Sequence, residues 1–146
     1  MAKNIKPYEI TVDSELNSEI AKGLNLLPVM PEIVAVIQSS IDENFRVGGR
    51  FGTDNEYGGG SNKWPAIKHR SGIPLTDTGD LKNRVEVTFS GTNVYISSPR
   101  VDFPTHNFGD KRDGKVWPAR PIAVIQNEDL EEIEFIIESH ISGMLK

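Results

Sequence analysis

Chemistry in this chain of 146 residues would have to come from three histidines, its carboxylates and hydroxyls, and two glycine clusters, since it has no cysteine. His69, His106 and His140 show neither a His-Glu-x-x-His step nor any other metal-ligand spacing. The serines have no Gly-x-Ser-x-Gly setting that would expose a nucleophile. Gly48-Gly49-Arg50-Phe51-Gly52 and Gly58-Gly59-Gly60 lack the Walker spacing and its closing Gly-Lys-Ser/Thr, so they read as loop and not as a phosphate cradle. Without cysteine there is no disulfide framework, thiolate metal site or Cys nucleophile, which fits a reducing cytoplasm. Asp77-Thr78-Gly79 remains, and its plain reading is a helix cap with a turn. The residues thus predict no catalytic group, no cofactor and no metal. His106 stays a candidate site residue because it falls in a short loop, Phe103 to Gly109.

The bulk properties narrow the partners. A chain of this length makes one domain, residues 1–146, with one core. The apolar fraction of 37% is on the low side, which leaves room for a poorly packed loop. A net charge of -5 gives no electrostatic footprint for nucleic acid, and Lys63, Lys68, His69 and Arg70 form the single basic cluster. The Met-Ala-Lys-Asn-Ile-Lys-Pro start does not resemble a signal peptide. No apolar run approaches the roughly 20 residues of a membrane helix. A soluble protein made in a cytoplasm is expected.

The elements that must position these residues follow from periodicity. Tyr8 to Asp13 alternates and predicts a short strand, and Ser14 to Leu27 is weakly helical. Pro31 suits the first turn of a helix over Glu32 to Phe45, whose Ile33, Ile37, Ile41 and Phe45 make one apolar stripe. From Arg46 to Pro74 periodicity fails. Six of the 13 glycines lie between Gly48 and Gly60, so 46–74 is predicted to be a long, flexible loop anchored at its far end by Trp64-Pro65 and Ile67. Thr78 to Arg84 reads as a helical turn capped by Asp77 or Thr78.

A hairpin follows. A two-residue Gly91-Thr92 turn pairs Phe89 with Val94, Val87 with Ile96 and Val85 with Ser98. That register gathers Val85, Val87, Phe89, Val94 and Ile96 on one face and leaves Glu86, Thr88, Tyr95 and Ser97 on the other. Arg112 to Gly114 reads as a turn, and Ile122-Ala123-Val124-Ile125 as a buried strand or helix lead-in. Asn127 is placed to cap a last helix, with Leu130, Ile133, Ile137, Ile141 and Met144 as its stripe and Phe135 and Ile136 widening it. The predicted fold class is α+β: a small antiparallel sheet with a hairpin, packed against two long helices, with a long glycine-rich loop.

Trp64 and Trp117, each followed by proline, are candidate interface residues because tryptophan is enriched among the side chains that dominate binding. Tyr95, His106 and Arg120 join them. Arg120 sits between prolines in Pro118-Ala119-Arg120-Pro121 and is expected to pair with a carboxylate within the fold or across an interface. The acidic run Glu128 to Glu138 reads as a solvated helix face, or as a surface for a basic partner.

In their order, these segments resemble the phage virion morphogenesis family, which includes the tail completion proteins of P2-like phages and the G proteins of Mu-like phages. The matching residues are Trp64, Leu75, Thr78, Gly79, Leu81, His106, Gly109 and Pro118 to Pro121, within a stretch from about 32 to 145. The resemblance implies a structural protein without a catalytic centre, which caps the tail tube or completes the neck so that head and tail can join. It implies a ring of identical copies, often a hexamer in related proteins. The partners would be the tail tube and neck or head-completion proteins, with no specific nucleic-acid binding and no membrane. The protein would reside in the virion, at the tail or neck, and in the host cytoplasm during assembly. A head-closure adaptor is the alternative within this class. Asp77-Thr78-Gly79 separately resembles the Asp-Thr-Gly of retroviral-type aspartic proteases, where carboxylates from two subunits share a proton and activate water. A charged Asp80 follows the Gly and there is no second copy of the tripeptide, so a protease of this kind would have to be a dimer.

Overall fold

The computed structural model describes residues 8–11, 25–67, 72, 74–75 and 79–144. The chain is α+β, as the periodicity predicts. Strand β1 (Tyr8–Thr11) precedes a 3-10 turn (Leu27–Val29) and helix α1 (Met30–Val47). Helix α2 (Asp80–Asn83), strands β2 (Glu86–Ser90) and β3 (Asn93–Ser97), helix α3 (Phe103–Phe108), strands β4 (Asp110–Arg112) and β5 (Lys115–Trp117) and helix α4 (Asn127–Met144) complete it. Most of the weakly helical stretch, 14–24, lies outside the described residues, as do Val12 and Asp13 beyond β1.

Helix α1 buries Ile33, Ile37, Ile41 and Phe45, the stripe its sequence predicts, and adds Met30, Val36, Ser40 and Asn44. It runs two residues further at each end than the stripe suggests. Pro31 occupies its first turn, where a missing N–H costs nothing. Gly48 closes it in the left-handed conformation, its N–H donating to the Asn44 carbonyl at 2.9 Å.

Helix α4 packs across α1 through Ile133 and Ile137, with Leu130, Ile136 and Ile141 partly buried beside them. Each large apolar side chain removed from water contributes about 1.5–3 kcal/mol, so this helix pair supplies much of the stability. Phe135 does not widen the stripe: it is 69% exposed. Positions two apart on a helix differ by about 200°, so Phe135 points away from the side that buries Ile133 and Ile137.

The three-stranded sheet has the order β1-β3-β2, both pairings antiparallel. Tyr8 lies opposite Ile96 and Ile10 opposite Val94. The hairpin register is the predicted one, with Phe89 opposite Val94 and Val87 opposite Ile96. Its ladder begins at Glu86↔Ser97, so Val85 and Ser98 lie just beyond it. Val85, Val94 and Ile96 enter the core, whereas the apolar face thins toward the turn and leaves Phe89 39% exposed.

The short elements divide between one difference from the sequence reading and two agreements with it. Phe103 to Phe108 is a helical turn and not loop: Phe103 and Asn107, four apart, share its buried side, and Pro104 fits its start. The turn expected at Arg112 to Gly114 is present, with Asp113 and Gly114 at φ 50° and 76°, and it closes a second hairpin, β4–β5. Of the two readings of 122–125, the helix lead-in holds: Ile122, Val124 and Ile125 are buried just before α4, and Ile125 makes a single parallel bridge to Gly58.

Candidate functional site

The glycine-rich segment is tied to the start of α4 by a polar network whose centre is Arg50. Asn62 N–H donates to the Arg50 carbonyl and Trp64 N–H to the Gly48 carbonyl, both at 2.8 Å, so the chain doubles back on itself. Gly49 makes that close approach possible: at φ +86°, a Cβ would sit 2.1 Å from the Asn62 carbonyl oxygen. The Arg50 side chain, only 12% exposed, then reaches Asp129 at 3.0 Å and Glu128 at 2.8 Å. Its Nε donates to Asn44 Oδ1 at 2.8 Å, and its Nη2 also contacts Ser40 Oγ. Ser40 Oγ donates to Asp129 Oδ2 at 2.5 Å, and the Gln126 N–H donates to the same oxygen at 2.9 Å.

Asp129 thereby closes the helix start. Gln126, whose carbonyl accepts the first helical bonds from Asp129 and Leu130, is the N-cap, and the carboxylate three residues on returns to its N–H. The expected cap, Asn127, lies one residue inside the helix, and its Oδ1 accepts from Asn55 Nδ2 at 2.8 Å. Gln126 is fully buried: its Oε1 accepts the Gly60 N–H at 2.8 Å and its Nε2 donates to the Gly60 carbonyl at 2.9 Å. Asn55 Oδ1 accepts the N–H groups of Tyr57 and Gly59 at 2.8 and 3.0 Å. No buried side-chain nitrogen or oxygen among the described residues lacks a hydrogen bond.

Beside this network the Pro-Ala-Arg-Pro step joins three of the sequence candidates. Trp64 is 4% exposed; it meets Phe45 edge to face at a centroid distance of 5.3 Å, and its Nε1 donates to the Pro121 carbonyl at 2.9 Å. It serves the interior and not the surface. The Arg120 N–H donates to the His106 carbonyl at 2.7 Å. Arg120 Nε donates to the Pro65 carbonyl at 3.0 Å, and Nη2 to the Ala66 carbonyl at 3.4 Å. The expected carboxylate partner within the fold is therefore replaced, among the described residues, by backbone carbonyls. Burial lowers the Arg120 pKa from its ordinary value, but the guanidinium remains a cation at any working pH.

The His106 side chain and the remaining candidates, Tyr95 and Trp117, lie apart from one another. His106 Nε2 is 3.4 Å from Asp102, in a charged cluster with Arg100, Asp80 and Arg84. Burial opposes ionisation of Asp102, yet the hydrogen bond and charge of Arg100 outweigh it and hold this carboxyl below its usual range. Tyr95, half-buried in β3, lies opposite Thr88 and Glu9. Trp117, at the end of β5, carries the Arg112 guanidinium 5.5 Å from its ring centroid. Asp77 and most of the basic cluster, Lys68, His69 and Arg70, fall outside the described residues. Among the described residues no group of three or more His, Asp or Glu is arranged to hold a metal.

Arg50, Asn55, Gln126 and Asp129 lie where the sequence predicts flexible loop and a solvated helix start, and none of them is a candidate on local pattern alone. The available signal was a Gln directly after the apolar run 122–125, with an acidic residue three positions later.

The polar seam joins two stretches of the chain, 40–62 and 125–129, and the likeness to a known protein runs over most of the chain. Over 148 aligned residues the chain is 28% identical to Mu-like prophage FluMu G protein 2 of Haemophilus influenzae, covering 92% of this chain and 99% of that protein. The chain is thus similar to a Mu-like prophage G protein over most of its length. No family model matches the chain, and no solved structure is significantly similar to it. No helix of the described residues is long and apolar enough to cross a membrane.

Proposed function

We propose that this protein is a structural component of phage assembly. It acts at the end of the tail that faces the head, capping the tail tube or completing the neck so that head and tail join, and it works as a ring of identical copies. The observation that carries this reading is the end-to-end likeness to a Mu-like prophage G protein. The architecture suits the role. Buried polar groups are spent on holding a long loop against a helix, and several large apolar side chains stay on the surface: Phe51 at 70%, Val116 at 69% and Phe135 at 69% exposure. Exposed apolar side chains of this size are what assembly contacts cover.

Electron microscopy of particles made without the protein tests the reading. Full heads beside overlong or unjoined tails are expected. Heads that leak their DNA beside normal tails would instead favour the head-closure adaptor. The dimeric protease reading requires Asp77, so Asp77→Asn separates it: normal particle assembly by this variant removes the protease, and assembly lost together with an acid-pH hydrolysis activity would replace our reading with it.

A further inference from the structure

Helix α4 presents a surface that has a counterpart elsewhere on the same chain. Phe135 is 69% exposed. Glu131, Glu132 and Glu138, four and three residues before it and three after, surround it at helical spacing, and all three are exposed. Among the described residues none of these glutamates makes an ion pair, whereas Glu128, a turn earlier, is held by Arg50. The face is therefore an aromatic anchor inside an acidic rim.

The β4–β5 hairpin offers the complement. Lys111 and Val116 lie directly opposite each other in its register and share a face. Val116 is 69% exposed and Lys111 is exposed beside it. The other face is already engaged, with Arg112 contacting both Asp110 and the Trp117 ring. An apolar side chain flanked by a cation thus stands on one element, and an apolar side chain flanked by three anions on another. Both point to solvent, so one copy does not satisfy the pair internally.

The geometry points to a head-to-tail contact between copies of this chain, in which the Lys111–Val116 face of the hairpin docks on the Phe135 face of α4 in the next copy. Two different patches meet, so the contact is heterologous and repeats around a ring when the rotation closes. Opposite charges at the rim set its register and weaken with salt, while Phe135 against Val116 forms the dry centre. This rests on the ring reading above and assigns the surfaces that build the ring.

The absence of cysteine makes a direct test possible. The double variant Phe135→Cys with Val116→Cys is produced during phage growth, and assembled particles are oxidised with copper–phenanthroline. A ladder of disulfide-linked species rising to the copy number of the ring is expected, since every subunit joins two neighbours. Either single variant should give at most a covalent dimer. Lysine-reactive cross-linking of particles carrying the natural chain runs alongside. A ladder there, with no ladder from the double variant, overturns the contact and leaves the ring standing. No ladder from either overturns both.

Discussion

At the residue scale the decisive side chain is Arg50, which joins a glycine-rich segment to Asp129, Ser40 and Asn44 where little water remains. Removing one partner of such a pair leaves the other charge buried and costs about 3–5 kcal/mol. Arg50→Met is therefore expected to lower the urea unfolding free energy by about that much. Replacing both, Arg50→Met with Asp129→Leu, should recover part of the loss, because no orphaned charge is left; a double variant as weak as the sum of the singles would contradict the coupling. Asp102 makes a different prediction. Its folded-state pKa lies below the ordinary 3.8 because Arg100 outweighs burial. The carboxylate therefore adds stability that is fully present above about pH 3.8–3.9 and is lost as the pH falls through the folded value. Unfolding followed between pH 5 and pH 2 should show a shallower acid loss in Arg100→Met than in the natural chain; equal slopes would mean Arg100 does not set this pKa.

At the element scale, what was legible in the sequence divides by the length of the repeat. Helices α1 and α4 announce themselves by four or five apolar positions at helical spacing, and the β2–β3 hairpin by a register that only one pairing keeps apolar on one side. The β4–β5 hairpin and α3 have three to six residues per element and no period long enough to read. Phe135 was misread because it stands next to Ile136 in sequence, while on the helix it faces away from Ile133 and Ile137. Within the candidate site, the partners of Trp64 and Arg120 are backbone carbonyls 54 to 57 positions away, which no local pattern encodes. The polar network was illegible for the same reason: Gln126 and Asn55 matter through pairings across the chain. Gly109 tests how tightly α3 and the second hairpin are joined. It takes φ 74°, and a Cβ there would lie 2.8 Å from the Trp117 carbonyl oxygen and 2.9 Å from the Ala119 nitrogen. Gly109→Ala should lower stability by more than about 1 kcal/mol in thermal or urea unfolding; an unchanged midpoint would show that the junction can give way.

At the scale of the whole molecule, a small α+β body holds its glycine-rich segment against one helix by buried polar groups and keeps Phe51, Val116 and Phe135 outside. In the proposed assembly role, the core and the Arg50 network fix the shape, and the exposed apolar side chains are the surfaces that neighbours would cover. The most direct measurement is the position of this chain in the finished particle. Cryo-electron microscopy of particles carrying a small gold-labelled tag on the chain should place the label in a ring at the end of the tail facing the head. Label spread over the head shell, or particles that assemble with none, would contradict the account.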